Sequence, residues 1–195
     1  MNTPERLPRK FYARSTLVVA RELLGQRLVR IEDGRRYSGI ISETEAYIGM
    51  DDLGCHARSG RTPRNESMWG PAGYLYVYFT YGMHWMLNFV TEAESFPAAV
   101  LMRAIIPQEG LAEMRIRRKN KPDRVLTNGP AKLCQALNIN GKLDGADSLN
   151  NQSPVFIEKM PAIEDQYVHT SPRIGLNTVP EPWKNKPWRF VYSPD

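Results

Sequence analysis

Glu43 and Glu45, two residues apart and followed by Tyr47, are the residues with the clearest chemical potential in this sequence. They lie in Ile41-Ser-Glu-Thr-Glu-Ala-Tyr47, which reads as a strand. Side chains alternate along a strand, so Glu43, Glu45 and Tyr47 are expected on one face with Ile41, and Ser42, Thr44 and Ala46 on the other. Core strands favour β-branched and aromatic residues, and carboxylates are rarely fully buried without a partner. A carboxylate at the end of a core strand is a candidate base, because partial desolvation raises its pKa. Taken alone, the stretch fits a half-exposed strand end with solvated glutamates better than it fits an active site.

Three further features add to it. Arg103 sits in the apolar stretch Ala98 to Ile105, with Leu101 on its face and Val100 and Met102 opposite. A charge there must be paired; Glu45 is the natural partner and Glu43 the structural alternative. The segment Cys55-His-Ala-Arg-Ser-Gly-Arg-Thr-Pro-Arg-Asn65 sets Arg58, Arg61 and Arg64 among small residues, a composition suited to phosphate contacts. Tyr74, Tyr76 and Tyr78 alternate along a strand, and Tyr81 falls at a tight turn that should present it outward. Each has an ordinary explanation: a plain sheet face, a structural ion pair, an idle His56. Together, aromatics interleaved with arginines beside a suspect carboxylate point to a protein that stacks bases and grips a phosphate backbone.

The elements that must hold these residues are legible in outline. Residues 1–12 read as an irregular basic arm. Ser15 to Gly25 reads as a short helix, with Ser15 as N-cap, Gly25 as stop, and Leu17, Ala20 and Leu24 inward. Gln26–Glu32, the turn Asp33-Gly34 and Tyr37–Tyr47 form a hairpin. Residues 49–73 form a long polar loop of the functional kind. Strands follow at Tyr74–Gly82, His84–Thr91 and Ala98–Ile105. A helix is expected over Pro107–Lys119, its basic end matching the helix dipole. A second is expected over Asn128–Leu137, with Asn128 as cap and Lys132 near an end that could hold a phosphate. Short strands at Val155–Lys159 and Arg189–Tyr192 complete a single α+β domain with an antiparallel sheet core, several short helices and long loops.

The chain has 195 residues, a net charge of +5, two cysteines and three histidines. The charge is compatible with nucleic acid, an acidic membrane or another polyanion. Cys55 and Cys134 do not make a disulfide framework, and no cysteine or histidine spacing suggests zinc, so no metal is expected. The N-terminus lacks an apolar signal region and no run is long enough to span a bilayer. An intracellular protein with reduced thiols is the default.

Six blocks, in order, carry a resemblance. They are Glu43-Thr-Glu-Ala-Tyr-Ile-Gly49; His56 with Arg61-Thr-Pro-Arg-Asn65; Leu75-Tyr-Val-Tyr78 with Tyr81-Gly-Met83; Val100-Leu-Met-Arg-Ala104; Gly129-Pro-Ala-Lys-Leu-Cys-Gln-Ala-Leu137; and Arg173-Ile-Gly175 with Lys186-Pro-Trp-Arg-Phe190. In these the chain resembles the alkyladenine (3-methyladenine) DNA glycosylases from about Thr16 onward. The resemblance implies a curled sheet, no cofactor, a monomer, and double-stranded DNA with a damaged purine as substrate. It makes Glu45 the general base and Arg103 the residue that helps hold the attacking water, with a carbonyl near Ile174–Leu176 completing that site. Tyr47, His56, Tyr78, Asn88 and Leu101 would form the base pocket. Tyr81, with Met83 beside it, would enter the duplex, and Arg61, Thr62, Arg64 and Lys132 would touch phosphates. The chain departs from the family pattern in a shorter loop before Thr62, a longer turn at Glu92–Phe96 and the pair His84-Trp85.

Two other readings stand beside this one. Glu43 and Glu45 could be the acid and base of a carbohydrate glycoside hydrolase, in which both are essential. Alternatively the chain could be a nucleic-acid binding module with no catalysis at all.

Overall fold

The computed structural model describes residues 5–193. Its frame is one antiparallel sheet of eight strands. These are β1 (Arg27–Glu32), β2 (Arg35–Ile48), β3 (Leu75–Thr80), β4 (His84–Val90), β5 (Ala98–Glu109), β6 (Val155–Glu158), β7 (Val168–Ser171) and β8 (Arg189–Tyr192). The order β3-β4-β5-β2-β1-β6 puts the long strand β2 at the centre. β5 runs along one edge of β2; along the other, β1 pairs with its first half and β8 with Glu43–Glu45. β7 is held by β8 and was not anticipated from its short, polar sequence.

The β1–β2 hairpin turns at Asp33 and Gly34, both with positive φ (49° and 73°), as a two-residue turn between twisted strands requires. Short helices cover the sheet: α1 (Arg9–Tyr12), α2 (Thr16–Glu22), α3 (Leu111–Arg117) and α4 (Pro130–Ala136). From α2, Val19 and Ala20 enter the main core, followed by Leu23 and Leu24. They join Ile41 and Ala46 of β2 and Val100 and Met102 of β5 there. From α4, Leu133, Cys134 and Ala136 enter the same core.

Several expectations change in detail. The arm is not irregular over residues 5–12. Arg6 bridges to Glu158, α1 forms, and Tyr12 is fully buried and stacked on Phe89. Residues 1–4 of that arm lie outside the described residues. Ser15 precedes α2 but gives it no side-chain cap; Glu92 Oε1 accepts from the Thr16 amide instead, at 3.1 Å. Thus the turn at Glu92–Phe96 contributes a cap for a helix distant in sequence. The expected Pro107 helix starts only at Leu111, because β5 continues to Glu109. Its basic end is structural: Arg115 pairs with Asp123, Arg117 with Glu32, and Arg118 reaches the Leu126 carbonyl and Gln135. The residue before α4 is Gly129 rather than Asn128, whose Oδ1 instead accepts from Lys132 Nζ at 2.8 Å.

The largest correction concerns β2 itself. Ile41 belongs to the main core with Ala46, five positions away, which strict alternation forbids. Two opposed irregularities, of three in the β2–β5 ladder, explain it. Ser42 is an extra residue on β2 between the pairs Ile41–Ile105 and Glu43–Ala104; Arg103 is an extra residue on β5 before Thr44–Met102. The first shift turns Glu43, Glu45 and Tyr47 away from Ile41's face. The second restores the register. Bulges re-aim side chains in this way, and both extra residues lie beside the suspect carboxylates.

Candidate active site

Glu45 is 0 % exposed. Its carboxylate accepts from the Ile174 backbone amide at 2.7 Å and from the Tyr47 hydroxyl at 2.8 Å, and pairs with Arg103 Nη1 at 3.2 Å. Burial pushes its pKa up, against the pull of Arg103 and of these two hydrogen bonds. Glu43 behaves oppositely. It too is desolvated, yet Arg189 and Arg103 hold it below the usual carboxylate range. Its Oε1 accepts from Arg103 Nε and Arg189 Nε, each at 2.6 Å. Two neighbouring carboxylates thus acquire opposite electrostatic characters. Arg103 joins both, and its guanidinium fills the place between them that a sugar flanked by two carboxylates would need.

Beside Glu45 opens a cavity of about 300 Å³, the low end of small-molecule pockets. Tyr47, His56, Tyr78, Tyr81, Asn88, Leu101 and Arg103 all line it. These come from β2, the long loop, β3, the β3–β4 turn, β4 and β5, so residues far apart in sequence converge on one space. Glu45 is not itself in the lining; Tyr47, Arg103 and Ile174, its three partners, are. The carboxylate therefore lies immediately behind the wall. The Ile174 contact is made by the amide N–H.

The long loop reaches this site because a second apolar cluster anchors it. Cys55, Ala57 and Met68 of the loop pack with Tyr76, Val90 and Ala99 of the sheet. Asn65, nearly fully buried, pins the loop from inside. Its amide donates to the carbonyls of His56 and Gly60, and its oxygen accepts from the Thr62 amide at 2.8 Å. His56 is thereby set with Nδ1 2.9 Å from the Tyr76 hydroxyl and its ring edge-on to Tyr78, centroids 4.5 Å apart. Desolvation, with Arg64 and Arg58 nearby, lowers the His56 pKa to about 4, so the imidazole is neutral at pH 7. Asn88 donates to the Tyr76 carbonyl at 2.9 Å, which fixes its amide in the pocket.

Behind Tyr47 lies a buried ion pair that the sequence did not single out. Arg173 makes two bonds to Asp52, at 2.5 and 2.8 Å, and donates to the Ala46 carbonyl. Its guanidinium lies 4.7 Å from the Tyr47 ring centroid and 5.0 Å from that of Trp188. Asp52 also accepts from the amides of Ile48 and Gly54. A Cβ on Gly54 would stand 2.8 Å from Leu176 Cδ1 and 2.9 Å from Arg173 Nη2, so a larger residue here would have to displace one of these side chains. The signal available in the sequence was an aspartate in a polar loop and an arginine ahead of Ile174-Gly175. Neither has a periodicity that marks a partner.

The outer residues divide. Tyr81 is 80 % exposed at the tip of the β3–β4 turn, with Met83 beside it at 67 %. Arg64 reaches the Phe79 carbonyl at 3.3 Å and lies 5.8 Å from the ring of Tyr78, which lines the cavity. Arg61 is held by Glu66, and Thr62 is held through its amide by Asn65. Lys132 is turned to Asn128. Among the described residues, no group of three or more histidine, cysteine, aspartate or glutamate side chains is placed to hold a metal ion. None of the described helices is long and apolar enough to cross a membrane.

Residues 10–195 match the family model described as methylpurine-DNA glycosylase. A relative from Chlorobaculum parvum is 46 % identical over 182 residues, covering 92 % of this chain and 86 % of its own. One from Carboxydothermus hydrogenoformans is 45 % identical over 184 residues, covering 94 % and 93 %. One from Bacillus cereus is 45 % identical over 197 residues, covering 95 % of each. All three are provisionally named 3-methyladenine DNA glycosylases.

Proposed function

Because the chain belongs to the methylpurine-DNA glycosylase family and is a DNA glycosylase, we propose that it excises 3-methyladenine, 7-methylguanine and hypoxanthine from duplex DNA. The product is an abasic site in an uncut strand. The observation that carries this reading is the fully buried Glu45 directly behind an aromatic cavity, with Arg103 on both.

The target bond is hidden inside a duplex, so the nucleotide must first be extruded, at a cost of a few kcal/mol. Tyr81 fills the vacated stack, with Met83 beside it. The base enters between Tyr47, His56 and Tyr78. A purine carrying a methyl-induced positive charge is attracted to aromatic faces, and a neutral His56 does not repel it. Asn88, locked by its bond to Tyr76, crowds the exocyclic amino group of guanine. Leu101 lines the same space.

As the N-glycosidic bond breaks, the sugar gains oxocarbenium character. The Glu45 carboxylate stabilises that charge and takes a proton from a water that Arg103 helps orient. The water oxygen bonds to C1′, and the bonding electrons leave with the base. A cationic base departs neutral; hypoxanthine gains a proton at N7 from a second water as it leaves. No amine takes part in this scheme, so no strand cleavage follows. Arg61, Thr62, Arg64 and Lys132 meet phosphates. The exposed Arg61–Glu66 pair is of the kind that contributes little and exchanges readily for a phosphate. The enzyme works on DNA as a monomer inside the cell.

The test is incubation with duplexes carrying 3-methyladenine, 7-methylguanine, hypoxanthine or uracil. Alkali-dependent strand breaks at the three purines and none at uracil are expected. Intact strands throughout would reject the reading.

A further inference from the structure

The feature this mechanism leaves unused is Glu43, with the second arginine attached to it. Glu43 Oε1 is shared by Arg103 Nε and Arg189 Nε, each at 2.6 Å, and Arg189 Nη1 also donates to Ser171 at 3.0 Å. Arg103 then turns Nη1 towards Glu45 at 3.2 Å. The charges run Arg189, Glu43, Arg103, Glu45, alternating in sign and ending at the buried carboxylate. Two of the three register shifts of the β2–β5 ladder lie at this line, and β8 pairs with β2 at Glu43–Glu45. A solvated strand end has no need of such construction.

We propose that Glu43 and Arg189 are positioning residues that divide Arg103 between two carboxylates and thereby set the proton affinity of Glu45. This rests on the reading of Glu45 as the base. Held by Glu43, Arg103 gives Glu45 only its longer contact, so the base stays basic enough to take a proton from water. A carboxylate in full possession of a guanidinium would remain ionised but would be a poorer base. The other groups that face Glu45 are Tyr47 on its own strand and Tyr78 on β3. Arg173, itself neutralised by Asp52, stands behind Tyr47.

The test is the pH dependence of single-turnover excision from a duplex with one 7-methylguanine. That base is already cationic, so the acid limb reports the base catalyst. Glu43→Gln removes a negative charge and frees Arg103 for Glu45; the limb should move to lower pH by roughly half a unit to one unit. Arg189→Gln leaves Glu43 to claim Arg103; the limb should move up by a similar amount. Opposite shifts are the signature, since a structural role alone would reduce the folded fraction without moving the limb. Melting curves and binding to abasic duplex confirm folding; if Glu43→Gln does not fold, the upward shift in Arg189→Gln decides. Unmoved limbs, or shifts in the same direction, overturn the proposal. Full excision by Glu45→Gln would instead overturn the reading of Glu45 on which it rests.

Discussion

At the scale of the residue, burial makes Glu45 harder to ionise in the fold than in the unfolded chain. Burial raises its pKa, so the folded protein binds the Glu45 proton more tightly than the unfolded chain does. The sign follows from linkage: this group favours the fold below the unfolded value of about 4.3. That contribution is lost as pH rises through the higher folded value. Glu45→Gln should therefore raise the melting temperature at pH 8, and the gain should shrink towards pH 4. Thermal melts at both values check this; a lower melting temperature at pH 8 would mean that Glu45 is a net stabiliser. Residue types alone picked out the Glu43/Glu45 pair and Arg103 as charges set in strands, while Tyr47 and Tyr78 took pocket roles only from the family resemblance. Type and spacing alone could not distinguish Glu43 from Glu45, which only the resemblance separated, since the physical difference lies in Arg189 and the Ile174 amide, more than a hundred positions away. Asp52 and Arg173 escaped for the same reason.

At the scale of the element, strand positions and the β1–β2 hairpin were legible, and the pairing of strands distant in sequence was not. Alternation located β2, β3, β4 and β5, but a bulge is a relation between two strands and leaves no mark on either sequence. Hence Ile41 was expected beside Glu43 and is found in the core. Helices α2, α3 and α4 were legible in outline by their apolar spacing, whereas α1 was not, nor were the caps: Glu92 serves Thr16 across the fold. The β3–β4 turn makes its own prediction. Tyr81 and Gly82 both have positive φ, 52° and 66°, and the Met83 amide closes the turn on Thr80. Glycine takes that conformation freely; tyrosine does so at a cost of about 1 kcal/mol. The side chain that would enter DNA thus stands on a strained backbone. Tyr81→Asn should stabilise the fold by about 1 kcal/mol in denaturant melts, because asparagine tolerates the left-handed region better. It should also weaken excision from stable pairs more than from mismatches. Equal loss on both substrates would remove Tyr81 from the flipping step.

At the scale of the whole molecule, one sheet and its loops bring the lining of the proposed base pocket together from segments far apart in sequence, and the order of the strands decides the outcome. β2 carries Glu45 and Tyr47 in the middle, β5 lays Arg103 and Leu101 alongside, and β8 closes the other edge with Arg189. The long loop, anchored by its own apolar cluster and by Asn65, brings His56 over the opening. Composition had suggested this loop was functional; its buried anchor could be found only with Tyr76, Val90 and Ala99 in place. The central claim is that Glu45, shielded behind this pocket, drives hydrolysis of the glycosidic bond. The most direct test is single-turnover excision of 7-methylguanine by the wild type and by Glu45→Gln, alongside binding of each to an abasic-site duplex. The expected result is a rate lower by a factor of about 10²–10⁴ with binding retained or tightened. Excision by Glu45→Gln within a few-fold of the wild-type rate would contradict it.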